Sequence, residues 1–244
     1  PTVTFQSGGA AITDTSITYN NTGGNTWTAK YTANSSDTDG SVTFSIAFTD
    51  SAGNAGVAVT AVTDGSSVTF DDTVPTLTAV GIASNNSTST LAEEGDVVTL
   101  TLTASETIGT PVVTFQSGGA AITNNVTYTN TSGNTWTAAY TTHDSDTDGS
   151  VTFSIAFSDS AGNAGVAVTA VTDGSSVTYD DTVPTLTAVG IVSNNATSTL
   201  AAAGDVVTLT LTASETIGTP TVTFQSGGAA ITDTSITYNN TGGN

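Results

Sequence analysis

The chain contains no cysteine, no methionine and no arginine, and Lys30 and His143 are its only basic side chains. Without thiols there are neither disulfides nor thiolate metal ligands, so any metal would have to be held by oxygen. Compartment stays open on this point, because domains outside the cell can fold without disulfides. Against the single lysine stand 21 acids, for a formal net charge of −20. Phosphate backbones are gripped by Lys and Arg, so nucleic acid is excluded as a partner, and anionic membrane surfaces with it. Long apolar runs are missing too: a membrane span needs roughly 18 consecutive apolar residues, and threonine interrupts every candidate. Membrane insertion of this segment is therefore not expected. No secretory leader is visible, as expected of a stretch that opens inside a repeat. Only 9% of residues are charged, and the apolar ones alternate regularly. That pattern belongs to folded β structure rather than to a solvated acidic tail.

What is present, above all, is repetition. Asp71-Asp72-Thr73-Val74-Pro75-Thr76-Leu77-Thr78-Ala79-Val80-Gly81-Ile82 returns as Asp180-Asp181-Thr182-Val183-Pro184-Thr185-Leu186-Thr187-Ala188-Val189-Gly190-Ile191, 109 residues later. Trp27 and Trp136, Phe44 and Phe153, Asp50 and Asp159, and Glu106 and Glu215 keep the same spacing. A period of this length exceeds the roughly 20–50 residues of solenoid repeats and matches an independently folding domain of about 100 residues. The acid-acid-Thr-Val-Pro stretch reads as a linker entering a first strand. From it, residues 72–180 form a complete unit, residues 1–71 the C-terminal part of one, and residues 181–244 the N-terminal part of another. We therefore expect a segment of a longer array. A second reading has the two partial units completing each other between neighbouring chains by strand complementation.

Within the complete unit, period-two alternation predicts strands over 77–83, 97–104, 112–116, 126–129, 135–141, 151–157 and 166–171, the last continuing into 177–179. A phase change at Val80 predicts a bulge or a switch of sheet near Gly81, and Trp136 is expected to anchor the core. About seven short strands with turn signals every 8–12 residues indicate an all-β fold of antiparallel sandwiches.

Thr-Asp-Ser-Ala-Gly-Asn-Ala-Gly (49–56), Ser-Asp-Ser-Ala-Gly-Asn-Ala-Gly (158–165), Ala-Ser-Glu-Thr-Ile (104–108 and 213–217) and the Asp-Asp-Thr-Val-Pro junctions resemble bacterial Ig-like tandem domains. The resemblance runs the length of the chain. It implies tandem Ig-like β-sandwiches in a large prokaryotic surface or adhesin-type protein, where such arrays act as extenders or filaments, are extracellular, and often bind calcium at domain junctions.

The acids support an ion independently. All 21 fall in expected loops or strand ends. Strand order brings Asp71, Asp72, Glu106, and Asp159 with Asn163 to one pole of the complete unit, faced by Asp37 and Asp39 of the preceding one. Their repeat equivalents are candidates too: Asp50 and Asn54 in the first unit, and Asp146, Asp148, Asp180, Asp181 and Glu215 at the next junction. Oxygen ligands without a basic partner suit Ca²⁺, which takes about 6–8 of them. Asp144-x-Asp146-x-Asp148-Gly149 matches the first half of a calcium loop, but Ile155 stands where the loop pattern requires an acid. The competing reading is turn chemistry and solubility: Asp and Asn bond their own backbone in turns, and acids at sheet ends blunt edges.

Catalysis is not expected. Glu106 and Asp159 could be posed as a glycosidase pair, but the same pair recurs in every unit and few aromatics are free to hold a sugar. Serine triads lack a histidine in each unit, and His143 is expected in solvent. Threonine alternation such as Thr99-Leu100-Thr101-Leu102-Thr103 is explained by strand propensity without an ice-binding face. Sequons at Asn20, Asn34, Asn85, Asn86, Asn125, Asn130, Asn195 and Asn239 are expected on accessible loops. The sequence thus leads to two functional expectations. One is a calcium-stiffened extender of a surface adhesin, partnered by neighbouring repeats. The other is a subunit that self-assembles into a fibre, sheath or surface layer.

Overall fold

Alternation along Val97–Ala104 places Val98, Leu100, Leu102 and Ala104 on one face of a strand, and all four are buried, the first three completely. The rest of the architecture covers such faces. The computed structural model describes residues 1–233 and 235–242, which hold strands, turns and no helix. Contacts divide the chain into two compact units, Pro1–Asp181 and Thr182–Asn244.

In the first unit the strands are β1 (Thr2–Ser7), β2 (Ala10–Ala11), β3 (Thr18–Gly23), β4 (Thr26–Lys30), β5 (Gly40–Ala47), β6 (Thr69–Phe70), β7 (Leu77–Ser84), β8 (Leu91–Ala92), β9 (Val97–Ala104), β10 (Val112–Ser117), β11 (Ala120–Ala121), β12 (Thr127–Ser132), β13 (Thr135–Thr141), β14 (Gly149–Ala156) and β15 (Thr178–Tyr179). The second unit has β16 (Leu186–Ser193), β17 (Val207–Ala213), β18 (Gln225–Ser226) and β19 (Ala229–Ala230).

Two sheets, ordered β11-β10-β14-β15-β8 and β12-β13-β9-β7, enclose one core. The fold is all-β and sandwich-like. One sheet contributes Val113, Phe115, Val151, Phe153, Ile155 and Tyr179, the other Val80, Ile82, Leu100, Leu102, Ala138 and Tyr140. Phe115 and Tyr140 meet across the layers with ring centroids 4.9 Å apart and planes tilted by 45°, within the range aromatic pairs favour.

Residues 1–70 repeat part of this arrangement. β1 pairs with β5 as β10 pairs with β14, Phe5 opposite Phe44 and Phe115 opposite Phe153. Val3 N–H donates to the Tyr19 hydroxyl at 3.0 Å, and Val113 N–H donates to Tyr128 at the same distance.

Three expectations need correction. Residues 166–171 do not form a strand: Val168 exchanges both backbone hydrogen bonds with Ile155, after which Thr172 N–H donates to Val80 O. The segment crosses from one sheet to the edge of the other and cannot run a continuous ladder along either. Its crossing brings Asp173 against β7, where a Cβ on Gly81 would lie 2.4 Å from Asp173 Oδ2, so a larger residue there would have to turn that carboxylate aside. The bulge in β7 lies earlier than expected, as a register shift between Leu77 and Ala79 against β9. The resulting phase buries Val80, Ile82 and Ser84. Trp136 is only partly buried, near the start of β13, while Tyr140 and Tyr179 are the large side chains sealed in the core.

Those two tyrosines differ in their hydroxyls. Tyr179 donates to His143 O at 2.8 Å, whereas the buried Tyr140 hydroxyl has no partner among the described residues. A buried polar group without a partner carries its desolvation cost uncompensated. Tyr179→Phe should therefore lose about 1 kcal/mol of unfolding free energy, and Tyr140→Phe should be neutral or stabilising. Urea denaturation of both variants, compared at constant m-value, checks this.

Candidate metal site

No acid of the chain falls within a strand. In loops, a carboxylate can be satisfied by nearby N–H groups or left to its neighbours, and both outcomes occur here.

Asp50 and Asp159 head the same turn. Asp50 Oδ1 accepts from Ala52 N–H at 2.9 Å and Asn54 N–H at 2.8 Å, and Asp50 Oδ2 from the Asn54 amide at 2.8 Å. Asp159 Oδ1 accepts from Gly162 and Asn163 N–H at 2.7 and 2.8 Å, and its Oδ2 from the Asn163 amide at 2.8 Å. Asp50 and Asn54, both exposed, thus perform turn chemistry unaided. The second copy adds something. Asn163 Nδ2 also donates to the backbone O of Asp71 at 2.9 Å, tying the turn to the linker after β6, and Asp159 is only 6% exposed.

Glu106 arrives at the same place two residues past the end of β9. Carboxylate oxygens of Asp71, Glu106 and Asp159 all lie within 4.8 Å of one another. These three acids could hold a metal ion. Glu106 Oε1 is buried and has no hydrogen-bond partner among the described residues. Burial, and then the charges of Asp71, Asp159 and Asp39, push the Glu106 carboxyl above its ordinary range. Burial also acts to raise Asp159, but the Asn163 side chain and the N–H groups of its turn outweigh this and hold it below the ordinary range. One carboxylate in the cluster is therefore well solvated by the protein, and one is not. An orphaned buried oxygen among three acids with no base beside it is a donor set that fits a hard cation. Asn163 spends its amide nitrogen on Asp159 and Asp71, so it braces the site.

Asp39 borders it. Asp39 Oδ1 accepts from Asp72 N–H at 3.0 Å and Oδ2 from the Thr73 hydroxyl at 2.6 Å, which lowers its carboxyl, the Thr73 bond acting most strongly. The loop carrying Asp39 packs so closely on β1 that a Cβ on Gly8 (φ 55°) would fall 2.4 Å from Asp39 O. Asp39, Asp71, Thr73, Ser105 and Glu106 line a shallow cleft. Asp72 is exposed.

The remaining candidates lie elsewhere. Asp37 is 7% exposed and caps its own loop, accepting from Thr13 N–H at 2.7 Å, Thr13 Oγ1 at 2.9 Å and Asn34 N–H at 3.0 Å; these bonds, the Thr13 N–H first, lower its carboxyl. Asp146 accepts from His143 N–H at 3.0 Å, and Asp148 Oδ1 from Asp181 N–H at 3.0 Å. Asp144 lies 2.6 Å from the exposed His143 ring. The carboxylates of the Asp144–Asp148 stretch thus face the His143 ring, the His143 N–H and the Asp181 N–H in turn, and among the described residues form no metal-binding group of their own. Asp180 and Asp181 are exposed in the first unit. Glu215, in the second, repeats the buried oxygen without a partner. That orphaned oxygen was the feature sequence reasoning could not supply.

Compared with known proteins, the chain matches no family model, no curated protein and no solved structure.

Two measurements follow from this geometry. Glu106→Gln should raise the melting temperature in chelator, by removing repulsion from a site with no counter-charge, and should shrink any metal-dependent rise. For Asp37 the carboxyl is lowered on folding, so its stabilisation is present above the unfolded value and lost as pH falls through the folded one. Asp37→Asn should weaken the protein at neutral pH, and its deficit against the parent should narrow below about pH 4, read as denaturation midpoints across that range.

Proposed function

We propose that this chain is a stretch of tandem Ig-like sandwiches with a 109-residue period, divided at 71/72 and 180/181, belonging to a long bacterial extracellular protein. In this reading it is a calcium-stiffened extender that carries an adhesive part of a cell-surface protein away from the cell. Its role is structural and adhesive rather than catalytic.

The observation that carries the reading is the unpartnered, buried Glu106 oxygen facing Asp71 and Asp159. Asp71 belongs to the linker, while Glu106 and Asp159 belong to loops of the sandwich that follows it. A cation bound to all three fixes the linker against that sandwich, and Asp39 already holds the next two linker residues from the preceding side. Calcium is the preferred ion because the ligands are carboxylates, three of which supply at most about six oxygens and leave the remainder to water. Neither thiolate nor clustered imidazole is available for softer metals. Without the ion, three like charges converge with nothing to neutralise them, and the linker is held less firmly, by its bonds to Asn163 and Asp39 alone.

Such a ligand stabilises the folded state by mass action, by about 2.7 kcal/mol at a hundredfold excess over its dissociation constant. Millimolar calcium should raise the melting temperature, and small-angle scattering should show a longer, stiffer particle than in chelator. Asp159→Asn should abolish both responses. A melting curve and a scattering profile indifferent to calcium would assign the acids to turn formation and solubility instead.

A further inference from the structure

The first and last segments of the sandwich built from residues 72–180 run side by side in the same direction. β15 pairs with β8 in parallel, Thr178 beside Leu91 and Tyr179 beside Ala92. Thr178 N–H donates to Thr90 O and Asp180 N–H to Ala92 O, both at 2.9 Å. The same order holds one stretch earlier, where no ladder forms. Thr172 N–H donates to Val80 O at 2.8 Å. Val80 N–H donates to the Thr172 hydroxyl at 2.9 Å, and that hydroxyl donates to Val80 O at 3.2 Å. Ile82 N–H donates to the Ser175 hydroxyl at 2.8 Å. Residues 80, 82, 91 and 92 thus meet 172, 175, 178 and 179 in that order. Two hydroxyls stand in for the main-chain groups of a strand along the edge of β7 that faces away from β9. Local sequence makes this possible. Asp173 Oδ1 accepts from Ser175 N–H at 2.9 Å and shapes the turn that presents this serine, and Gly81 leaves room for the Asp173 carboxylate. Val177 and Tyr179 are buried, so the core holds the last segment from behind.

We propose that this parallel seam is a shear clamp, which makes the sandwich a load-bearing link. The chain reaches the seam at Val80 and leaves it after Asp180, at its opposite end. Tension applied through the two departing ends therefore slides one segment along the other. The hydrogen bonds of the seam lie across that direction, so they are strained together rather than in turn. β7 is also laddered to β9 from Leu77 to Ser84, and a pull along its axis strains those bonds in the same manner. An antiparallel pair behaves otherwise when its neighbouring ends are drawn apart. β10 and β14 place Val112 opposite Ala156 at one end of their ladder, and force there opens the bonds one after another. Lifetime under force is governed by the unfolding rate rather than by equilibrium stability, and interactions lost on the way to the unfolding barrier set that rate. The seam is such a set. The tandem reading above supplies only the direction of load, since links joined through residues 72 and 180 are pulled by their ends. No ion is needed for the clamp, because its bonds do not involve Asp71, Glu106 or Asp159.

The absence of cysteine allows the direction of force to be chosen. Paired cysteines carry handles, coupled under reducing conditions, for constant-force measurements in chelator. Val74→Cys with Val183→Cys pulls along the seam, both positions being exposed. Val112→Cys with Ala156→Cys opens the β10–β14 ladder from one end. At equal force the first pair should outlast the second by at least about tenfold, since single hydrogen bonds are weak and a set failing together is not. Thr172→Val with Ser175→Ala deletes the hydroxyls that hold Val80 and Ile82. This variant should shorten the lifetime along the seam by at least about tenfold and the other lifetime far less. Tyr140→Leu, a core truncation on β13 outside both pulled segments, should shorten the two by similar factors. Equal lifetimes in the two directions overturn the proposal, as does a seam variant that shortens both alike. The directional comparison on the unaltered seam decides the matter even where the seam variant fails to fold. Because every lifetime is taken in chelator, the calcium reading keeps its own melting experiment, and either can fail without the other.

Discussion

A β-sheet with one apolar face is stable only when another layer covers that face, and this requirement organises the whole chain. Where β7 and β9 lie over β10, β14 and the 166–179 segment, Val98, Leu100, Leu102, Ile155 and Tyr179 lose all contact with solvent. Where the covering strands differ, the same side chains remain in water, as Val68 and Val189 do beside their buried counterparts Val177 and Val80. Burial here is a property of pairs of layers rather than of individual residues. The hairpin β16–β17 can hold its register through backbone bonds and still leave its apolar face unsatisfied.

Electrostatics is the second constraint, and it is one-sided. With a single lysine, the acids cannot be neutralised by salt bridges, so each must find N–H donors, water or a cation. Asp37, Asp39, Asp50 and Asp159 find donors in the backbone and in Asn or Thr side chains, and their carboxyls are correspondingly lowered. Glu106 finds none and is raised. That contrast separates acids that build turns from those, Glu106 and its repeat Glu215, whose buried oxygen is left for something else to satisfy. It also links the two constraints, because Glu106 is partly buried by the sandwich that β9 helps to close.

The strands were largely legible from alternation, because apolar and polar residues two apart report directly on which side faces a core. Val97–Ala104 and Thr135–Thr141 follow their patterns to the residue. Residues 166–171 misled because a segment that changes sheets keeps its alternation but loses its ladder. Trp136 misled because size suggests a core anchor, while position in the strand decides depth, and Ala138 and Tyr140 lie deeper. The acids were legible as loop residues, and strand order pointed to the meeting of Asp71, Glu106 and Asp159. Nothing in their spacing distinguished Asp37, a buried loop cap, from a ligand.

The sequence by itself determined the 109-residue repetition, the all-β character, the placement of every acid outside the strands and the absence of bases to pair with them. These are properties of neighbouring residues and of composition. Tertiary structure decided how deep each core side chain lies, how the Asp159–Asn163 turn meets the linker at Asp71, and which carboxylate oxygens are left buried without a donor. The reason is that burial and charge convergence depend on groups brought together from distant parts of the chain.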